Sequence, residues 1–373
     1  MLALRRRILT SAAFIISLIA VATMLRIAFE WRQALADIDA MIITPVTLPT
    51  EASVAPTPQS ITSTNEIYGP PPAPPAAQPT VVPPPPVDNP PAATATAEAL
   101  RLSRPEMNIL LLGTDARPDD TGPTRTDAIV LVHIARDTGR VSMLSIPRDL
   151  WVSYPTGGEG RINAAYAIGE NRFGPGGGAA LAKSTVSKLL GLPVDYFILI
   201  NFEGFKKIID LIGGIEIDVP RAIYDPAYPT EDYGTIEVSF NAGRQWMDSE
   251  RALIYARTRH ADSDFGRNQR QQQVLMAIFH RIRDQGLLQQ LTSLDDYTGA
   301  LRGYVTTDLS RRTMLELANF ARTIDSENIL RYAIDSSSIV ELGGGATFRV
   351  QPQALRRIVA QFTGEAVSTA GGE

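Results

Sequence analysis

The sequence contains no cysteine, only three histidines and only four lysines among its 35 basic residues. Without cysteine there is no disulfide, no thiolate nucleophile and no cysteine-ligated zinc. The histidines, His133, His260 and His280, lack the spacing of a zinc site, and His133 lies in an apolar run that predicts a buried strand. A net charge of −5 gives nucleic acid no bulk electrostatic support. We therefore expect no nucleic-acid partner.

The N-terminus carries the long apolar run of the chain. Residues 1–7 are basic, and the uncharged run from Ile8 to Leu25 is long enough to span a bilayer. The positive-inside rule then predicts a cytoplasmic N-terminus, a single-pass signal-anchor helix at 8–25 in the cell membrane and an extracytoplasmic globular domain. The alternative is a cleaved signal peptide, because residues 20–22 resemble a cleavage site. Both interpretations export the rest of the chain.

Proline divides the remainder of the chain. Residues 41–106 hold 17 of the 27 prolines and favour extended polyproline II rather than helix or central strand. We therefore expect an extracytoplasmic stalk and Pro-rich linker over 26–106, which acts as a spacer. Residues 107–362 have globular composition and the size of one domain, and a disordered tail is expected at 363–373.

Apolar runs and amphipathic segments alternate along the globular part. Strands are predicted at 109–112, 128–135, 141–146, 196–200, 215–219 and 329–333, and a turn at 136–139 joins the second and third in a hairpin. Helices are predicted at 178–190, 203–212, 248–257, 268–283, 310–324 and 352–362. The pattern indicates a single α/β domain in which a mixed central β-sheet is sandwiched between α-helices.

Two aspartates follow or enter the first strands of this sheet. Asp115 comes after a strand and a glycine, and Asp127 precedes the next strand. Each alone is typical of a turn or cap. Together they can face one ligand site, because ligands of open α/β sheets bind at strand ends. Two carboxylates completed by phosphate oxygens are a usual way to hold Mg²⁺.

Arginines cluster in two places that the fold could bring together. Arg125 and Arg148 flank the second and third strands, while a later segment, 255–273, supplies the others. Guanidinium groups match phosphate geometry, so the clusters suit a phosphate-rich ligand. A salt-bridged surface helix that pairs these arginines with Asp262 and Asp264 is equally compatible with the spacing. The later segment contributes Arg257, Arg259, Arg267, Arg270 and Gln271.

A series of ordered motifs resembles the LytR-CpsA-Psr family. The motifs are LLLGTDAR, RTDAIVL, LSIPRDLWV, RINAAYAIG, DYFILINFEGF, DLIGGIEIDV and ALIYARTRHADSDFGRNQRQQQ. The resemblance covers residues 107–284 and continues more weakly to about 362. It implies a phosphotransferase that moves a glycopolymer from a polyprenyl-pyrophosphate carrier to a peptidoglycan sugar hydroxyl through a phosphodiester.

The resemblance also implies roles for individual residues. Asp115 and Asp127 would hold Mg²⁺ (or Mn²⁺), and Asp115, Arg125, Arg148 and Arg267 would be catalytic. Asp115 is also our candidate general base. The partners implied are the lipid-linked glycopolymer, peptidoglycan and, through the N-terminal helix, the membrane. Pyrophosphate binding is expected of Arg125, Arg148, Arg257, Arg259, Arg267 and Gln271.

Two other functions remain open at this point. A polyprenyl-pyrophosphate phosphohydrolase would use water as the acceptor, and a non-catalytic regulator would bind lipid pyrophosphate without turnover. The sequence names neither the polymer nor the accepting sugar, and it does not give the oligomeric state.

Overall fold

The structure, a computed structural model, describes most of the chain from residue 104 to residue 365. The described residues are 32–33, 36–43, 46, 48, 101, 104–115, 122–230, 234–259, 262–285, 299–343 and 347–365. The predicted cytoplasmic segment 1–7, the anchor 8–25, most of the linker and the tail after 365 lie outside them. Within these described ranges, no helix combines the length and apolarity needed to cross a bilayer.

Fourteen strands and seven α-helices of the globular part are described. The strands are β1 Glu106–Thr114, β2 Thr126–Ala135, β3 Arg140–Ser145, β4 Trp151–Ser153, β5 Glu159–Arg161, β6 Tyr196–Asn201, β7 Ile215–Val219, β8 Ile223–Pro229, β9 Thr235–Phe240, β10 Gly243–Met247, β11 Val305–Thr307, β12 Ile329–Ala333, β13 Ile339–Glu341 and β14 Phe348–Val350. The helices are α1 Ala164–Phe173, α2 Gly177–Leu190, α3 Phe202–Leu211, α4 Ser249–Arg257, α5 Asp264–Asp284, α6 Arg311–Ala321 and α7 Pro352–Thr363.

The central sheet has six strands in the order β11-β6-β1-β2-β3-β12. Strand β1 runs antiparallel to β2 and parallel to β6, and β12 runs parallel to β3. The predicted hairpin is present, because Ala135 pairs with Arg140 across the turn and Gly139 takes the left-handed conformation at φ 67°. The prediction of a mixed central sheet is confirmed.

Helices cover both faces of this sheet, and β1 buries side chains on each face. Leu110 and Leu112 point to a core shared with α1, α2 and α7, whereas Met107 and Ile109 belong to a second core with residues of α5 and α6. Each fully buried leucine stabilises the fold by ~1.5–3 kcal/mol. A third cluster lies beside the sheet and joins α3, α4, α5, β7 and β10.

His133 is a core residue, as predicted. Its side chain is 1 % exposed, and Nδ1 lies 2.9 Å from the Asn108 side-chain oxygen. The ring also lies against Phe362, with centroids 5.5 Å apart. Burial lowers the pKa of His133, so the neutral form is favoured in the folded protein.

Helix α5 begins four residues earlier than the sequence predicts. Ser263 caps it by accepting a hydrogen bond from the Gly266 amide. Gly266 looks like a helix breaker in the sequence, yet a Cβ there would collide with the Asp262 carboxylate. A glycine in the first turn avoids this collision. The helix can therefore begin at Asp264.

A short segment before the Pro-rich stretch packs on the edge strand β11. Residues 36–41 are helical and Met41 is 7 % exposed. The Ile43 amide donates to the Thr307 carbonyl at 2.8 Å, and Asp37 pairs with Arg302 at 3.3 Å. Part of the predicted stalk is thus attached to the domain.

Candidate active site

The candidate residues collect at one edge of the central sheet. The C-terminal ends of β1 and β6 lie together because the two strands are parallel, and β2 begins beside the end of β1. The β1–β2 register shifts after Gly113, so that Thr114 pairs with Thr126 while Ala128 pairs with Gly113. Asp127 sits at this irregularity and Asp115 directly follows β1, which brings both to the same edge.

A chain of ion pairs connects this edge to the start of α5. A guanidinium nitrogen of Arg148 lies 2.7 Å from Asp127, and its Nε lies 3.7 Å from Asp264. Asp264 in turn pairs with Arg267 at 2.7 Å. Burial alone would lower the pKa of Arg148, but the carboxylates of Asp127 and Asp264 outweigh it and the pKa is raised. Two guanidinium groups are thus held together by one shared carboxylate.

Arg267 is unusually enclosed for an arginine. Its side chain is 5 % exposed, and burial lowers its pKa, with Arg148 and Arg259 adding repulsion and Asp127 adding attraction. Within the described part of the chain, the buried Nε atoms of Arg148 and Arg267 have no hydrogen-bond partner. An unsatisfied buried donor costs ~1–3 kcal/mol, and an anion bound there would remove that cost.

A second group of contacts surrounds Arg257 at the end of α4. Its guanidinium lies 3.8 Å from the Asp115 carboxylate and donates to the Tyr228 hydroxyl at 3.2 Å. It also stacks on Phe202, the first residue after β6, at 4.3 Å from the ring centroid. Burial raises the pKa of Tyr228. Arg257 is therefore held from three sides beside one of the two aspartates.

The segment after Arg257 is fixed by a buried carboxylate. Asp225 accepts from the Thr258 hydroxyl at 3.3 Å and from the Arg259 amide at 3.2 Å. Arg270 braces the other side, because its Nε donates to the Tyr255 carbonyl at 3.1 Å and Nη1 donates to Asp262 at 2.8 Å. Arg270 is thus committed to holding this segment.

Arg125 and Gln271 stand somewhat apart from these contacts. Arg125 is exposed and lines a cavity of about 460 Å³ with Trp151, Tyr154 and Ile168. Gln271 is half-buried and lies one turn beyond Arg267 on α5. The structure therefore joins Asp115 to Arg257, and it joins Asp127 to Arg148 and, through Asp264, to Arg267. The charge of Arg259 repels that of Arg267.

Sequence reasoning missed four residues that organise these contacts. Asp264 was considered only as part of a surface salt-bridge helix, although it links Arg148 to Arg267. Tyr228 and Asp225 belong to β8, which was not predicted because prolines at 226 and 229 argue against a strand. Phe202 comes two residues after the end of a predicted strand, and that position alone could have drawn attention to it.

The chain is thus an α/β protein that presents carboxylates and guanidinium groups at one sheet edge, a combination that suits an anionic ligand. It belongs to the LytR_cpsA_psr family, whose model matches residues 88–362. The predicted resemblance is therefore confirmed.

Comparisons with individual proteins agree with this family. A protein of Oceanobacillus iheyensis, "Polyisoprenyl-teichoic acid–peptidoglycan teichoic acid transferase TagU", is 30% identical over 280 residues, or 74% of this chain and 81% of the relative. The crystal structure of TagV from B. subtilis has a TM-score of 0.55 and 27% identity, with 70% of this chain and 98% of that one covered. The structure "TagT bound to LI-WTA" has a TM-score of 0.53 and 28% identity, with 70% and 91% covered. The prediction that the chain is an enzyme of the transferase class is confirmed.

Proposed function

We propose that this protein is a Mg²⁺-dependent phosphotransferase. It takes a glycopolymer from a polyprenyl-pyrophosphate carrier and joins it to a peptidoglycan sugar hydroxyl through a phosphodiester. The main support is the placement of Asp115 and Asp127, each beside an arginine, at one edge of the central sheet. The names of the relatives support the substrates, since TagU is named for the transfer of teichoic acid from a polyisoprenyl carrier to peptidoglycan.

The arginines bind the pyrophosphate in this proposal. Phosphoryl transfer depends mainly on positioning and on stabilising charge, and several fixed guanidinium groups provide both. Arg148 and Arg267 are held rigid by Asp264, so they are already in place before the ligand arrives. Arg257 is held by Phe202 and Tyr228 in the same way. The remaining pyrophosphate contacts are assigned to Arg125, Arg259 and Gln271.

The residues present suit a magnesium ion that is completed by the substrate. No cluster of three or more histidine or acidic groups able to hold a metal occurs in the described ranges. Asp115 and Asp127 are nevertheless partly exposed, with 39 % and 34 % of their side chains accessible. Two carboxylates with phosphate oxygens and water are a donor set that Mg²⁺ accepts. Bound there, the ion would neutralise charge on the pyrophosphate oxygens.

Asp115 is the proposed general base. The sugar hydroxyl is a weak nucleophile, and a carboxylate that accepts its proton as the new P–O bond forms would assist attack. The leaving group is the lipid phosphate, whose developing charge faces the arginines. Arg257 lies beside Asp115 and keeps its carboxylate at the edge of the sheet.

The test is a reconstitution with defined substrates. The full-length protein is incubated with a lipid-pyrophosphate sugar labelled in the sugar, peptidoglycan strands and Mg²⁺, and the label is then located. We expect the label on peptidoglycan, linked by a phosphodiester, and none when EDTA replaces Mg²⁺. Release of free sugar phosphate would instead identify a phosphohydrolase, and binding without turnover would identify a regulator.

We also propose that residues 8–25 anchor the protein in the cell membrane with the catalytic domain outside. The uncharged run between basic flanks supports this orientation. Protease added to intact spheroplasts should degrade the catalytic domain but spare a tag placed before residue 5. Protection of the domain would contradict the orientation.

A further inference from the structure

A groove of about 690 Å³ lies away from the arginine cluster, between the β7–β10 ribbon and the C-terminal half of α5. The residues that form it do not take part in the proposed transfer. The groove residues between Gln273 and Arg281 belong to α5. At ~1.5 Å per residue they lie roughly 9–21 Å along the helix from Arg267. The groove and the candidate active site therefore share one helix.

The β7–β10 ribbon carries an aromatic residue, Trp246, on its solvent-exposed face. In β7, Ile215, Ile217 and Val219 are buried while Glu216 and Asp218 face outward. Trp246 pairs with Glu216, so it shares the outward face, and it is 54 % exposed. A large exposed aromatic on the polar face adds nothing to the core, and its apolar ring with one polar N–H is available to a ligand in the groove.

The indole is held in one position. A Cβ on Gly214 would lie 2.7 Å from Trp246 Nε1, so the ring packs directly on the glycine backbone. The guanidinium of Arg281 lies 4.8 Å from the ring centroid and its Nε donates to the Ile212 carbonyl at 3.0 Å. A ring fixed before binding loses little entropy when a ligand stacks on it.

The charges around the groove are balanced. Glu216, Asp218 and Asp284 face Arg244, Arg281 and Arg331 among its lining residues. A polyphosphate chain would be attracted by one set and repelled by the other, whereas a saccharide finds donors and acceptors for its hydroxyl and amide groups in both. The ring face attracts the weakly positive C–H groups of a sugar. Those features suit a neutral or zwitterionic glycan.

We propose that the groove is an outlying subsite for the acceptor glycan strand, with Trp246 as its stacking platform. This rests on the proposed function for its choice of saccharide. A strand seated on Trp246 and reaching toward the start of α5 contacts the enzyme at two separated places. Long acceptors should therefore bind more tightly than short ones.

Binding is measured first, without any transfer, by titration calorimetry of the full-length protein in detergent. We expect a peptidoglycan octasaccharide to bind more tightly than a tetrasaccharide. Trp246→Ala should weaken octasaccharide binding about tenfold, and Trp246→Phe should retain most of it because a ring remains. Leu315→Ala is the matched control, since Leu315 is similarly exposed at 51 % but lies on α6. Equal octasaccharide affinity in Trp246→Ala and the natural protein would overturn the subsite.

Two further measurements distinguish failure of the subsite from failure of the proposed function. A poly(glycerol phosphate) chain that binds through Trp246 more tightly than the octasaccharide would overturn the assignment to the acceptor. In the transfer assay, Trp246→Ala should lower the ratio of kcat/KM for long over short acceptors about tenfold through KM. If no protein transfers label yet octasaccharide binding still depends on Trp246, the proposed function fails and the subsite stands.

Discussion

At the scale of single residues, the candidate site depends on carboxylates shared between arginines. Asp264 holds Arg148 and Arg267 together, at 3.7 and 2.7 Å. Two adjacent guanidinium groups repel each other, and the intervening carboxylate offsets that repulsion. A spacing rule cannot reveal this, because Asp264 and Arg148 are distant in sequence.

Replacing Arg267 by lysine should impair transfer strongly. Lysine keeps the charge but loses the planar fork that contacts Asp264 and, in the proposed function, a phosphate as well. We expect kcat/KM to fall about 100-fold, in line with the loss of an electrostatic contact at a transition state. Steady-state kinetics check this. Arg221→Lys is the matched control, because Arg221 is 74 % exposed and pairs only peripherally with Asp262 at 3.3 Å; an equal loss there would point to a general effect of arginine removal.

The buried His133 should make the protein less stable in mild acid. Burial, the largest cause, lowers its pKa, and Asn108 lies 2.9 Å from Nδ1. Since the unfolded chain binds a proton below about pH 6.5 and the folded one resists it, the free energy of unfolding should fall as pH drops through that value. Urea unfolding between pH 7.5 and pH 5 measures this. His133→Gln should flatten the profile, and a profile identical to that of the natural protein would exclude His133 as the source.

At the scale of elements, the apolar pattern of the sequence predicts the strands of the central sheet better than the ribbons beside it. β7 and β12 match their predicted bounds, although β7 alternates buried and exposed residues and β12 is at most half-buried. The β8–β9 ribbon escaped prediction because two prolines lie in β8 and most residues of β9 are exposed. That ribbon supplies Tyr228 and Asp225, so the missing element also hid part of the site. Conversely, Asp115 and Asp127 were found because strand ends in α/β sheets are where ligands bind.

The start of α5 should be sensitive to a single methyl group. Gly266→Ala would place a Cβ against the Asp262 carboxylate, which is held by Arg270, and should cost ~1–3 kcal/mol of unfolding free energy. Gly122→Ala is the control, because no atom lies within 4 Å of a Cβ there. Thermal unfolding and hydrogen exchange of the first α5 amides measure the effect. If both variants unfold at the same temperature, the contact with Asp262 carries no weight.

At the scale of the whole molecule, chain on both sides of the Pro-rich stretch is attached to the same body. Before it, Met41 is buried and Ile43 bonds to Thr307 of β11. After it, Arg104 pairs with the buried Asp195, and Arg101 lies over the Tyr196 ring at 5.7 Å. The sequence predicted a simple spacer here, because proline content indicates extension but says nothing about where its ends are fixed.

A cut within residues 50–100 should therefore leave two pieces that stay together. We expect the N-terminal piece to copurify with the domain after a protease site inserted in this stretch is cleaved. Met41→Asp should release it, because burying an unpaired carboxylate against the domain is strongly unfavourable. Size-exclusion chromatography with mass detection distinguishes the outcomes. Separation of the natural pieces at once would show that the contacts at Met41 and Ile43 are too weak to matter.

Because the chain is attached at β11, the length of the Pro-rich stretch does not set the distance between the domain and the chain before residue 36. Lengthening or shortening the chain between residues 50 and 100 leaves the contacts of Asp37 and Ile43 with the domain unchanged. The residues just before residue 36 set the distance between the arginine cluster and the chain that precedes them. Insertions in the proline region should consequently be neutral for reach, and insertions near residue 35 should not.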